Sequence, residues 1–328
     1  MKKIKWGIIG CGDVTELKSG PAFNKVNNSE LVAVMRRDAA KAADYAARHQ
    51  VTTWYDDAAK LINDPMVDAI YIATPPSTHE CYTIAALSAG KPVYVEKPIA
   101  MNTAEATAMT ELARQKKLKL SIAHYRREQP KFKKIKQLLD ACTIGDIRFC
   151  RLAFLRPALS MDAVKAQKTS WRVIPAVSGG GLFHDLAPHQ LDLVLWYLGD
   201  VRVASGMSQN QAGLYDADDI VTGNILFNSG AVFNGLWSFA APNGENVDTC
   251  EIVGSKGKIS FSVFDHTTFS LSLNGCTELF SFEPLQHVQQ PMIQKVVEYF
   301  LDETGNPCSG DEGIKSMKVM EQFTSKTH

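Results

Sequence analysis

The first third of the chain alternates short, continuously apolar runs with segments patterned at helical spacing. IKWGIIG (Ile4 to Gly10), LVAVM (Leu31 to Met35), DAIYIAT (Asp68 to Thr74), VYV (Val93 to Val95) and LKLSIA (Leu118 to Ala123) have no solvent-facing side, and VTTWY adds a shorter run. Between them the pattern predicts helices over Asp13 to Val26, over Ala39 to Arg48, and over a short segment opened by Asp56 and Asp57. A further helix runs to about Gly90 from a capping box at Ser77-Thr78-His79-Glu80, and another is capped at Asn102 or Thr103. Strands apolar on both faces and separated by helices imply a parallel sheet covered on both sides. Residues 1–123 therefore read as a doubly wound α/β domain.

After about residue 124 the pattern changes. A basic helix over Pro130 to Ala141 and a long irregular stretch precede a helix from about Asp185 to Leu198. Seven strands follow in series: VRVASGMSQ, IVTGNILF, AVFNGLWSFA, TCEIVG, GKISFSV, TTFSLSL and TELFSF. Asn228-Ser229-Gly230 and Asn274-Gly275 are hairpin signals because these residues tolerate positive φ. Two more helices, about Val288 to Leu301 and Glu312 to Phe323, close the chain. Residues 124–328 thus read as an α+β domain with a large, mostly antiparallel open sheet. The terminal helix is expected to pack back on the first domain.

Composition narrows the classes. Lysine plus arginine equals aspartate plus glutamate, at 35 each, which gives no general attraction to nucleic acid or to an anionic membrane. Lys131, Lys133, Lys134 and Lys136 on the basic helix read as a solvated face. The seven cysteines are odd in number and contain no C-x-x-C, so a reducing compartment is expected, with no disulfide framework. MKKIKWGIIGCG reads as a first strand rather than a signal peptide, and no apolar run approaches the ~20 residues of a membrane span. The protein is expected to be cytoplasmic.

Gly10-Cys11-Gly12 stands where the first strand meets the first helix. The first glycine permits a tight turn, and the second lets a pyrophosphate approach backbone N–H groups, with Asp13 and Val14 beginning the helix. The third small residue of the usual fingerprint is replaced by Thr15. Where NAD-binding chains carry an acidic residue after the second strand, this one has Arg36-Arg37-Asp38, and arginine suits a 2′-phosphate. That favours NADP(H) over NAD(H). Thr74-Pro75-Pro76 and Glu96-Lys97-Pro98 end two strands on the sheet edge where such folds bind ligands. Far along the chain, GGGLFHDLAPHQLDL places Asp185 and His189 four apart, hence on one face of a helix, with His184 and Asp192 differently phased. No third ligand is spaced to complete a metal site with them, so none is expected.

GIIGCGDV, ATPPSTH, EKP and GGGLFHDLAPHQLDL, in that order and over the whole chain, resemble the glucose-fructose oxidoreductase / inositol dehydrogenase / rhizopine catabolism (Gfo/Idh/MocA) family. The resemblance implies an N-terminal Rossmann domain, and a C-terminal sheet through which a homodimer or homotetramer forms. It implies a bound nicotinamide dinucleotide and oxidation or reduction of a sugar, cyclitol or related polyol. Carried over by motif, Lys97 is the catalytic lysine, and Asp185 and His189 match the D-x-x-x-H pair. Thr74, Pro75, Pro76, His79 and Glu96 are implied on the cofactor side. Arg126, Arg127, Trp171 and Arg172 fall where the family places cofactor or substrate contacts, and His184 beside the D-x-x-x-H pair is a further candidate substrate contact.

The chemistry needs acceptors for a hydride and for a proton from one H–C–O–H unit. His189 is the expected acid/base, with Lys97 hydrogen-bonded to the reacting oxygen and Asp185 orienting one of them; which of Lys97 and His189 carries the proton stays open. An NAD-dependent glycosidase using transient oxidation, or a non-catalytic sugar or nucleotide sensor, are the alternatives. Specificity is expected from Leu155 to Ser178 and from the open sheet face.

Overall fold

In a computed structural model, described over residues 3–165 and 171–325, the chain forms two compact units. The first comprises residues up to Gln129 together with Leu285–Ile314, and the second Pro130–Pro284 together with the chain from Lys315 on. This division differs from a single boundary at 123/124. The returning segment belongs to the first unit because its helix, Gln290–Phe300, presents Met292, Ile293, Val296, Val297 and Phe300 at helical spacing, and all five are buried in that unit's core. Each contributes about 1.5–3 kcal/mol of burial. Lys119 Nζ then donates to the last carbonyls of this helix, Tyr299 (2.7 Å) and Phe300 (3.1 Å), where a cation is favoured.

The sheet of the first unit is built from β1 (Ile4–Ile9), β2 (Ser29–Met35), β3 (Thr53–Tyr55), β4 (Ala69–Ile72), β5 (Val93–Val95) and β6 (Leu120–Ile122). All neighbours are parallel, in the order β3-β2-β1-β4-β5-β6. That is the Rossmann order, which reverses direction between β1 and β4 and opens a ligand crevice there. Two local expectations fail. The predicted helix over 13–26 stops at Leu17 and resumes as a 3-10 turn, Gly20–Asn24, because Pro21 has no N–H to donate and Gly20 lies against the Thr15 carbonyl and Tyr45 hydroxyl. A Cβ on Gly20 would stand 2.2 Å from both. The capping box at Ser77 to Glu80 does not form: Pro76–Thr78 is a 3-10 turn, and the helix His79–Ser88 begins without a side-chain cap.

The second unit holds β7 (Ile147–Pro157), β8 (Val201–Gln209), β9 (Ile220–Phe227), β10 (Val232–Ala241), β11 (Val247–Gly254), β12 (Gly257–Phe261), β13 (Thr268–Leu273) and β14 (Cys276–Ser281). They pair in the order β14-β13-β12-β11-β7-β10-β9-β8, antiparallel throughout except for β7 beside β10. β7 lies in the stretch read as irregular, yet it is central to the sheet: Cys150, Leu152 and Phe154 point into the core between outward Arg151 and Phe149. One face is covered. The helix Gly181–Leu198 buries nearly every residue, and its Gln190 accepts from Trp237 Nε1 on β10 at 2.6 Å. Gly206, Gly223 and Gly235 stand side by side across β8, β9 and β10, and the first two leave the room that Phe323 of the C-terminal helix fills. Lys131 departs from the solvated-face reading; it is fully buried, whereas its neighbours Lys133, Lys134 and Lys136 are partly exposed.

Candidate functional site

The turn after β1 is shaped by contact with the turn after β4. Gly10 has φ +95°, and a Cβ there would meet Thr74 Cγ2 at 2.7 Å and the Ala73 carbonyl at 2.9 Å, so only glycine fits. Gly12 is different: its backbone is extended, and a Cβ would meet nothing of the protein closer than 3.9 Å. A bare backbone in open space at the switch point is what an approaching phosphate requires, so the turn fits a dinucleotide. Thr15 replaces the usual small residue at no cost in packing, since its hydroxyl is buried and donates to the Gly12 carbonyl at 2.8 Å. Arg36 Nη1 donates to the Cys11 carbonyl at 3.1 Å, which lays the guanidinium against this turn. Arg37 is exposed, and Asp38 caps the next helix by accepting from the Lys41 amide. Asp13 and Val14 open the five-residue helix. Burial pushes the Cys11 thiol up to about 11, so it stays protonated despite the nearby Arg36.

Lys97 follows β5, and the Lys97-Pro98 peptide is cis. Its turn is braced from two sides. The Glu96 carboxylate is buried, accepting from Tyr71 (2.5 Å), from Gln289 Nε2 (2.7 Å) and from the Lys97 amide (3.2 Å). Burial, ahead of the Glu96 charge, raises the Tyr71 hydroxyl pKa, which keeps it a donor. His79 is fully buried, with Nε2 2.8 Å from the Thr74 carbonyl and Nδ1 2.9 Å from the Pro98 carbonyl. Its ring thus ties the end of β4 to the turn after β5. Burial lowers the His79 pKa, against the opposing pull of those carbonyls. Read as cofactor contacts, Glu96 and His79 instead have their side chains committed to the fold, while Thr74 and Pro75 stay partly exposed at the edge and Pro76 is buried.

In the second unit the helix begins at Gly181, four residues before the predicted start, after Gly179, Gly180 and Gly181 all take positive φ. Gly180 makes room for His184, whose Nδ1 lies 3.1 Å from the Gly180 carbonyl. Burial drives the His184 pKa down to about 4. This histidine braces the helix start through Nδ1. Asp185 accepts from Arg172 Nε at 3.1 Å, and Arg172 in turn lies over the Trp171 ring at 4.5 Å. Three predicted residues therefore form one cluster. His189, one helical turn on from Asp185, is buried, and its ring meets Phe264 at 5.8 Å and 87°. Arg127 belongs to the first unit, buried in an ion pair with Glu312, and so serves the fold. Burial pushes the Glu312 carboxyl up, but Arg127 and the Ser309 amide outweigh it and hold the pKa low. Arg126 is buried, 5.5 Å over the Tyr125 ring. Among the described residues no cluster of three or more His, Cys, Asp or Glu could hold a metal ion, and no helix is long and apolar enough to cross a membrane.

Residues 4–124 match the oxidoreductase-family NAD-binding Rossmann fold of GFO/IDH/MocA type, and residues 132–260 match the GFO/IDH/MocA C-terminal domain. The chain belongs to the Gfo/Idh/MocA family of oxidoreductases. It is 44% identical over 323 residues to Oxidoreductase P35 of Formosa agariphila, covering 98% of each chain. It is 28% identical over 233 residues to 1,5-anhydro-D-fructose reductase of Ensifer adhaerens, covering 70% of this chain and 67% of that one. Levoglucosan dehydrogenase, solved with NADH and levoglucosan, superposes with a TM-score of 0.87 at 21% identity, over 98% and 96% of the two chains. As a Gfo/Idh/MocA chain the protein is a nicotinamide-dependent dehydrogenase or reductase.

Sequence reasoning missed the residues that hold the family motifs in place. Phe264 carries no motif, and Gln289 lies 193 residues from the Glu96 it supports. The signal available for Gln289 was its place at the start of an amphipathic helix. Of the predicted specificity segment Leu155 to Ser178, residues 166–170 lie outside the described residues, as does any role they have.

Proposed function

We propose that this Gfo/Idh/MocA chain is an NADP(H)-preferring enzyme that interconverts a hydroxyl and a carbonyl on a sugar, cyclitol or related polyol. The observation that carries this reading is the bracing of Lys97 at the carboxyl edge of the parallel sheet by His79 and Glu96. Gly10, Gly12, Asp13 and Val14 would hold the pyrophosphate, and Arg36 a 2′-phosphate. When bound, the nicotinamide supplies the hydride acceptor or donor. Lys97 donates a hydrogen bond to the reacting oxygen and stabilises its developing charge. His189 exchanges the hydroxyl proton, one ring nitrogen of an imidazole being able to take it and give it back. Asp185, with Arg172 on one oxygen, orients that chemistry.

The exposed sheet face supports a homo-oligomer. Val203, Leu226, Val232, Phe149 and Val253 stand in register across five strands, and Phe149 (42%), Val232 (44%) and Val203 (56%) are open to solvent. The seven cysteines, none of them in a disulfide, fit a reducing cytoplasm.

Titrating NADPH and NADH in parallel by calorimetry tests the cofactor half of the proposal. Tighter NADPH binding, lost in Arg36→Ala, is expected. Equal or tighter NADH binding, unchanged in Arg36→Ala, would reject the preference and leave Arg36 as a brace of the Cys11 turn.

A further inference from the structure

The connection between β12 and β13, residues 262–267, is anchored far more heavily than a hairpin needs. Asn274-Gly275 closes β13 onto β14 with two residues at positive φ, flanked by a Ser272–Thr277 hydroxyl pair at 2.9 Å. By contrast Lys131, fully buried in the first turn of the helix Pro130–Asp140, donates from Nζ to the carbonyls of Ser262 (2.7 Å) and Asp265 (2.6 Å). Removing an ammonium from water costs several kcal/mol, so a buried lysine needs such acceptors and marks a conformation worth fixing. Asp248 on β11 grips the same turn, accepting from the Ser262 hydroxyl, from the Val263 amide (3.1 Å) and from the Phe264 amide (2.7 Å). Asp265 completes it, accepting from the Thr267 amide (2.8 Å), the Thr267 hydroxyl (2.5 Å) and the Thr268 hydroxyl (2.8 Å).

What this anchoring fixes is the Phe264 ring. It packs at 5.0 Å on Phe154 of β7 and meets the His189 imidazole nearly perpendicularly, at 5.8 Å. An aromatic pair in this geometry confines both rings, and an imidazole that exchanges a proton must keep one orientation. We infer that the 262–267 turn is a positioning device for His189, in which Lys131 and Asp248 hold Phe264 so that it restricts the imidazole to one rotamer. Lys131 and Asp248 act through Phe264, and Phe264 acts through His189. The inference rests on the proposed role of His189, but its test does not.

Labelling the full chain with isotopic histidine makes the ring resonances readable, and His189→Ala assigns the one that matters. Lys131→Met and Phe264→Leu are each expected to shift the His189 ring resonance, while His184, which packs on Phe183 in a similar T-shaped pair (5.6 Å, 79°), keeps its own. An unmoved His189 resonance in folded Lys131→Met overturns the inference, as does an equal shift at His184. If Lys131→Met does not fold, Asp248→Ala is read by the same criteria, since it releases the Phe264 amide while leaving the buried ammonium its two carbonyls. Turnover of His189→Ala separately decides whether that residue carries the proton, so either statement can fail alone.

Discussion

Lys97 and His189 are held by opposite means. The lysine stands on a turn whose braces are mostly near it in sequence: Glu96 is adjacent, and His79 reaches across from the end of the neighbouring strand to the Pro98 carbonyl. The histidine sits inside an 18-residue helix that fixes its backbone, while its ring is met by Phe264, from a turn anchored by Lys131 and Asp248. One residue stands on a turn whose backbone is braced by polar bonds, and the other presents a ring that packs edge-to-face on a second ring. The difference shows in what a single change should break.

The sharpest test of the first kind of support compares two glycines. Gly10→Ala places a Cβ within 3 Å of the Thr74 and Ala73 atoms at a φ that side chains avoid, and should cost about 2–5 kcal/mol of unfolding free energy in denaturant melts. Gly12→Ala should leave stability near wild type and weaken dinucleotide binding. Equal stability losses would erase the distinction between a packing glycine and a cradle glycine.

On the helix side, His184 sharpens the contrast because it is buried in its neutral form. Its pKa is about 4 in the folded chain against an ordinary 6.5, so its contribution is complete above pH 6.5 and is lost as pH falls toward 4. The full window is worth at most about 3 kcal/mol. Unfolding free energies of wild type and His184→Gln, measured from pH 7 to 4.5, should converge as pH falls; parallel curves would contradict the buried neutral imidazole. A smaller loss, about 1–3 kcal/mol, is expected for Gly223→Ala, whose Cβ would stand 2.3 Å from the Phe323 ring. Smallest is Glu251, on the open face of the second sheet. Its bond from Lys258, with Arg151, holds the carboxyl down to about 2, so its stabilisation is present above about pH 4.5 and fades as pH falls toward 2. Solvent screening limits it to about 1 kcal/mol or less, and Glu251→Gln should barely move the melting temperature at pH 7.

The motifs were legible because each is local. Gly10-Cys11-Gly12, Glu96-Lys97-Pro98 and the Asp185/His189 spacing need only a strand end or a helix to acquire meaning, and the parallel sheet followed from strands without a polar face. What escaped depends on distant partners. Lys131 looks like its lysine neighbours until the carbonyls that take it, 131 and 134 residues further on, are in place. β7 was hidden because Arg148, Arg151 and Arg156 interrupt its apolar run, although Cys150, Leu152 and Phe154 alternate inward. Helix 13–26 was overextended because hydrophobic spacing outweighed Pro21, whose missing donor ends it.

The most direct measurement is nicotinamide absorbance at 340 nm over a panel of sugars, cyclitols and their keto forms, with wild type, Lys97→Met and His189→Ala side by side. Wild type should turn over at least one member, and each variant should lose about 10²–10⁴-fold in rate while binding the cofactor as before. Near wild-type turnover in both variants, or release of a sugar from a glycoside with no net change in absorbance, would contradict the proposed hydride and proton chemistry.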